Sequence, residues 1–446
     1  MEQTQEVSPT REALRRFYIL DRLQQMVLLL PILATGWFVY HFAVELPYQD
    51  AWNMVPMVRH MEEGHLQWAD IDETHNGSRI IFYQALALFL AKITRYNVLA
   101  EFYVAWVCLA ISVFVLYAFF VQLQRRVPLA TIAFLPIELL FLNWRGSESM
   151  VIAACLGNQL VVMSFLLTLW FCLKTPGRPL YLIPALLCAL MGTFSLAQGL
   201  MIWVIGFLIL LYFRIPGSIK VWVASGVLCG AYYFYDYKPH IVPWQTGIGF
   251  VLGNKFSAIL YSLMYVGSAL ATTPYQAAWL GVWMIVLLMT ILWLFRRDAQ
   301  TWKLLLPFAA MLLYATLLLG PLLTGRLGLG REQAFWSGRY MQLEATWPIF
   351  LYVAMLVLAS KYRLWRWALW AGIVLLCIGL ANSYVAGIHL AEDVHTKQVA
   401  CQSVLRNFHH ESDEAVTCYF PQPAMARRWS FYLEQLHLSV FRDRHE

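Results

Sequence analysis

An all-α membrane protein with about eleven transmembrane helices is the fold class this sequence predicts, and three observations predict it. Hydrophobic residues make up 60% of the chain and charged residues 13%, with a mean hydropathy of +0.58, a balance foreign to soluble globular proteins. Apolar runs repeatedly approach the roughly 20 residues needed to cross a bilayer. Those runs lack the two-residue alternation of a transmembrane barrel, and lipid then leaves only helices. The net charge of +6 is spread over short loops without a basic stripe, so nucleic acid is not an expected partner.

Residues 1–23 are polar and carry Arg11, Arg15, Arg16 and Arg22, which predicts a cytoplasmic N-terminal segment ahead of an uncleaved first span over 24–46. The chain then enters a first outer loop, 47–98. Its segment 53–63 reads as a short amphipathic helix that Gly64 stops. Segment 80–93 is apolar as well, but charge places it at the outer interface. If it crossed, the following span would end outside with Arg125 and Arg126, against the positive-inside rule. Later spans are expected over 99–121 and 129–142, then one ending at Lys174, a short pair over 180–194 and 200–213, and one ending near Asp236. Segment 254–271 reads as interfacial or re-entrant. The remaining spans end at Arg296-Arg297, at Thr324, at Lys361 and near residue 390. The transmembrane catalytic domain is thus 24–390, and 391–446 is expected to be a small extracytoplasmic domain.

Polar chemistry concentrates in the outer loops. Asp50 lies just beyond the first span, where a carboxylate can act as a general base on a hydroxyl; the alternative is a helix cap. Asp70-Ile71-Asp72 has the Asp-x-Asp form that can bind a divalent cation, or it is a solvated acidic loop. His75, Asn76 and Arg79 offer hydrogen-bond donors around Gly77. Glu148, beside Trp144 and Arg145, and Arg331 and Arg339, beside Tyr340, are the other strong polar groups, and an arginine fork suits the paired oxygens of a lipid phosphate. Trp52, Trp68, Trp144 and Trp336 lie in these loops, where a flat ring can stack on a sugar, whereas most other tryptophans fit the interface belt. Glu138, Gln159 and Glu344 fall within apolar runs and should face the bundle interior. Six cysteines read as small buried hydrophobes. Cys401 and Cys418, in the polar tail, are expected to form a disulfide in an oxidising compartment.

Four stretches carry a resemblance: Gln49-Asp50-Ala51-Trp52, His75-Asn76-Gly77-Ser78-Arg79, Ser195-Leu196-Ala197-Gln198-Gly199-Leu200 and Gly338-Arg339-Tyr340. They resemble, in order, the Asp-Asp-Trp, His-Asn-Glu-His-Arg, Ser-Phe-x-x-Gly-Leu and Arg-Tyr motifs of bacterial GT-C-like integral-membrane glycosyltransferases. The similarity runs from about residue 47 to 347. Gln49 stands where the family has its first acid, and Gly77 and Ser78 stand where it has glutamate and histidine. The resemblance implies a GT-C-like bundle with two interfacial helices in the first outer loop and a polyprenyl-phosphate-linked sugar as donor. It further implies Asp50 as base and inversion at the anomeric carbon, in a bacterial inner membrane with the site and C-terminus periplasmic. Arg339, Arg79, Arg331 and Tyr340 are then the donor-phosphate candidates. Asp72, His75, Asn76, Trp52, Trp68 and Glu148 are the sugar or acceptor candidates. The acceptor class is a glycan, a lipid or a secreted protein such as a pilin, with no cofactor beyond a cation at Asp70/Asp72. The rival class is a flippase for a lipid-linked glycan, which should instead hold its polar groups near mid-membrane.

Overall fold

The computed structural model describes residues 20–75, 77–152, 155–237 and 247–442, apart from the side chain of residue 75. Among them the chain is all-α except for one hairpin, Thr74–His75 against Ser78–Arg79. Seven helices among the described residues are long and apolar enough to cross a membrane: Leu20–Phe42, Leu99–Gln124, Leu156–Lys174, Pro274–Phe295, Ala299–Leu329, Gly338–Lys361 and Arg363–Arg406. The protein is therefore a multi-pass membrane protein. Gly247–Gly253 and Lys255–Leu270 form a pair bent by 98°, which makes an eighth if counted as one span.

That count differs from eleven because several apolar runs give short or broken helices, and Pro216–Phe234, although 19 residues long, is not among the helices apolar enough to count. Residues 129–142 give a 3-10 turn and a seven-residue helix, Leu135–Phe141, with Pro136 in its first turn. The short pair gives Leu182–Thr193 and Leu200–Tyr212, of 12 and 13 residues. At 1.5 Å per residue these helices span only roughly 10 to 20 Å. Ile81–Thr94, with 14 residues, covers roughly 21 Å on the same rise, short of a hydrocarbon core. Cysteines introduced at Glu73 and Arg95, which are exposed on either side of it, are therefore expected to react with an impermeant reagent from one side of the membrane. Reaction from opposite sides would make this helix a span.

The bundle is organised around the helix ending at Lys361, whose apolar window is 94% buried whereas that of Pro274–Phe295 is 28% buried. Lipid supplies no hydrophobic drive between helices, so close backbone approach matters more. A Cβ on Gly267 would lie 2.1 Å from the Ala277 carbonyl oxygen, and one on Gly281 2.1 Å from that of Leu263. These two glycines let Lys255–Gly267 pack directly on Pro274–Phe295. Glu138, Gln159 and Glu344 are all buried in the bundle.

At one end of the bundle the first polar loop forms a 3-10 turn, Gln49–Met54, and the helix Val55–Glu62 with Pro56 in its first turn. Arg363–Arg406 is one 44-residue helix that runs without a break through residue 391. Beyond it, the chain folds back onto the first loop. Tyr419 stacks on Trp52 with centroids 5.0 Å apart, the Gln49 amide donates to the Tyr419 carbonyl at 3.3 Å, and the Arg59 guanidinium lies 3.9 Å over the Tyr432 ring. Arg442 closes the fold with a 2.7 Å ion pair to Glu45. Cys401 and Cys418 are joined, with Cα atoms 5.7 Å apart. Closing a loop of that size contributes roughly 3 kcal/mol. Protein purified without reductant should have no alkylatable thiol at either position, and free thiols at both would contradict the pairing.

Candidate active site

A cavity of about 880 Å³ lies at this end of the bundle. Its lining comes from widely separated parts of the chain: Asp50 from the 3-10 turn, Ser78 from the hairpin, the 195–200 turn, Arg339 and Tyr340 from the late loop, and Met425 and Trp429 from the tail helix Pro423–Gln435.

Asp50 is exposed, in a first turn whose cap residue is Tyr48. The following helix is capped at Met54 without a side-chain bond. Asp50 therefore caps neither element. Gln49 beside it has φ of 49°, a left-handed conformation that costs a non-glycine residue energy and persists only when its surroundings impose it. The Gln49 amide bond to the tail supplies one such restraint.

Arg339 faces Glu148. Its backbone amide and Nε donate to the Glu148 carboxylate at 3.4 and 2.9 Å, and Nη2 completes a fork on the same carboxylate. The loops carrying the two residues are wedged together. A Cβ on Gly338 would lie 2.8 Å from the Arg145 carbonyl oxygen, and one on Gly146 2.8 Å from Met341 Cβ. Arg145 itself is buried, donates to the carbonyls of Ser268 and Phe335, and lies 3.6 Å over the Phe335 ring. Burial lowers its guanidinium to about 10, with Glu344 opposing. Arg145 is thus a cornerstone that positions Glu148 and Arg339, not a ligand-facing group.

Cys155 ties the two sides together. Burial pushes its thiol up to about 12, Arg339 pulls the other way, and Glu148, Asp50 and Glu101 add to the rise. Asp50, Glu148 and Arg339 therefore all lie within electrostatic range of one cavity-lining sulfur.

The 195–200 turn supplies backbone rather than charge. A Cβ on Gly199 would lie 2.1 Å from the Gly192 carbonyl oxygen, so only glycine fits. The Ala197 amide donates to Ser78 at 3.4 Å and Tyr314 donates to the Gln198 carbonyl at 3.1 Å. Gln84 is buried, lines the cavity, and its Oε1 accepts no hydrogen bond among the described residues.

Other expected site residues are engaged elsewhere. Arg79 is buried, with Nη1 held by both oxygens of Asp72 at 2.8 and 2.9 Å and Nη2 by the Tyr235 carbonyl at 2.5 Å. This fork closes the hairpin base, and neither Arg79 nor Asp72 is among the residues lining the cavity. Asp70 accepts from the Gln67 amide at 2.8 Å and lies 3.3 Å from His60. The two acids of the Asp-x-Asp pattern thus serve different partners. Trp52 is fully buried against Tyr419, leaving no face for a sugar. Trp68 and Trp336 are exposed, and Trp144 packs between Phe38 and Tyr384. These three tryptophans and Arg331 are not among the residues lining the cavity. Asn76 and the His75 side chain lie outside the described residues.

Sequence reasoning missed Arg326, Gln84, Met425 and Trp429, all of which line the cavity. Arg326 ends the helix Ala299–Arg326, and the only signal for it was a basic residue at the loop end of an apolar run. No family model, curated protein or solved structure matches the chain.

Proposed function

We propose that the protein is a GT-C-type membrane glycosyltransferase, moving a sugar from a polyprenyl-phosphate-linked donor to an acceptor at the outer face of a bacterial inner membrane. The observation that carries this reading is the convergence of the Asp50 carboxylate and the Arg339–Tyr340 turn on a single large cavity at the loop end of the bundle. Nucleotide sugars are cytoplasmic, so transfer outside needs a donor anchored in lipid. Arginine-rich short loops at the opposite end fit this orientation.

In the proposed reaction Asp50 accepts the proton of the acceptor hydroxyl as its oxygen attacks the anomeric carbon. The bond from that carbon to the phosphate oxygen breaks, the configuration inverts, and the phosphate leaves on its lipid. Charge developing on that oxygen is met by the arginine-bearing wall. Gln84, with its unused acceptor, suits a sugar hydroxyl.

The test is reconstitution of purified protein in liposomes with polyprenyl-phosphate-linked sugars and a surface-glycan or secreted-protein extract, read by mass spectrometry. Glycosylated acceptor is the expected product. Movement of a lipid-linked glycan across the bilayer without any transfer would make the protein a flippase instead.

A further inference from the structure

The two arginines that line the cavity differ in one respect. Arg339 is neutralised by Glu148. Arg326 makes no side-chain hydrogen bond or ion pair among the described residues, although Arg79, Arg145, Arg427 and Arg442 at this end of the molecule are all engaged. A partly buried guanidinium that lines a cavity and is paired with no carboxylate among the described residues can hold an anion.

What leads to Arg326 is apolar. Leu318, Leu322 and Arg326 recur at four-residue spacing along the helix Ala299–Arg326, with Pro321 and Gly325 beside them, and all five line the cavity. At helical spacing these residues share one face. Leu318 and Leu322 are buried, whereas Pro321 is exposed on the helix flank. A stripe of hydrocarbon ending in a cation matches an amphiphile with an anionic head. Tyr340 lines the same cavity, and Tyr261 lies within electrostatic range of both Tyr340 and Arg326.

The charge available there is small. With Arg339 closed on Glu148, Arg326 is the single uncompensated cation among the described cavity-lining arginines, and the same cavity also carries Asp50, Asp70 and Glu73. One positive charge balances a phosphodiester, which carries one negative charge. A diphosphate brings more and would meet the acidic wall without a second cation to offset it.

We propose that Arg326 binds the anionic headgroup of a polyprenyl lipid, and that Glu148, by occupying Arg339, restricts that headgroup to a single phosphate. This rests on the reading of the donor as lipid-linked and goes beyond it. Arg326 becomes the headgroup ligand, and Glu148 a specificity-determining residue that need not touch the lipid.

The test is direct binding of a polyprenyl-phosphate-linked sugar, whose phosphate is a diester, of the corresponding polyprenyl-diphosphate-linked sugar and of inorganic phosphate to purified protein in phosphatidylcholine nanodiscs. Wild type should prefer the monophosphate lipid. Arg326→Ala should weaken that lipid about tenfold or more, the scale of one charge-assisted hydrogen bond, and Arg326→Lys should keep most of the affinity. Glu148→Gln releases Arg339 and should strengthen diphosphate binding about tenfold, narrowing the preference. Unchanged monophosphate binding in Arg326→Ala overturns the headgroup assignment. An unchanged preference in folded Glu148→Gln overturns the specificity role, and if that variant does not fold, Glu148→Asp, which loosens the same pair, replaces it. Competition by inorganic phosphate as strong as by the lipid would make this a free-phosphate site and overturn the proposal. Lipid binding that follows these rules in a protein that transfers no sugar would leave this inference standing and remove the glycosyltransferase reading. Transfer with a donor affinity indifferent to Arg326 would do the reverse.

Discussion

Asp50→Asn is expected to lower sugar transfer by about 10² to 10⁴-fold, the usual contribution of a general base, while leaving the thermal midpoint where it is. Asparagine keeps the shape but loses the negative charge and the ability to take a proton. Asp50 is exposed and caps neither the 3-10 turn, which begins after Tyr48, nor the helix capped at Met54. Asp50→Ala should for that reason escape the penalty of about 1 kcal/mol for a lost cap, and both variants should fail in transfer alike. The measurement is transfer rate against donor binding for the two variants in the liposome assay. Full activity in Asp50→Asn would remove Asp50 as base and turn the search to Asp70 and Glu73, the other carboxylates on that wall.

Arg339→Ala is expected to act twice. It leaves the Glu148 carboxylate, about one-fifth exposed, without its counter-charge beside the cavity, and it removes one of the two guanidiniums lining the cavity in which the phosphate is proposed to leave. A hydrogen bond to a charged group is worth about 1.5–3 kcal/mol, so transfer should fall roughly 10- to 100-fold by that conversion. The double variant Arg339→Ala with Glu148→Gln separates the two effects. Removing the orphaned charge should restore thermal stability, because losing both partners is milder than stranding one. Transfer should stay low if Arg339 meets the developing charge. Recovery of both quantities in the double variant would reduce Arg339 to a counter-ion for Glu148 and leave the phosphate to Arg326.

The membrane class and the helical architecture were legible in the chain because hydropathy is a local property. So was the division between apolar runs and polar loops, and so was the placing of Asp50, Arg339 and the 195–200 turn outside the apolar core. The span count was less legible. Apolar length alone does not distinguish a crossing helix from a broken one such as Leu135–Phe141 or a bent pair such as Gly247–Gly253 with Lys255–Leu270, because the bend depends on what packs against it.

Which polar groups face a common space was decided by the tertiary structure alone. In sequence Arg79 and Arg339 are equivalent arginines in polar loops. In the fold Arg79 is spent on Asp72 and the Tyr235 carbonyl, Arg339 on Glu148, and Arg326 at the end of a long helix is left facing the cavity. The tail shows the same limit: nothing in its composition reports that Tyr419 stacks on Trp52 of the first loop or that Trp429 lines the cavity. Hydropathy and motif spacing report what each residue brings. Ion pairing and stacking join residues hundreds of positions apart, so whether a charge is available to a ligand is a property of its neighbours in space and is written in no single stretch of the chain.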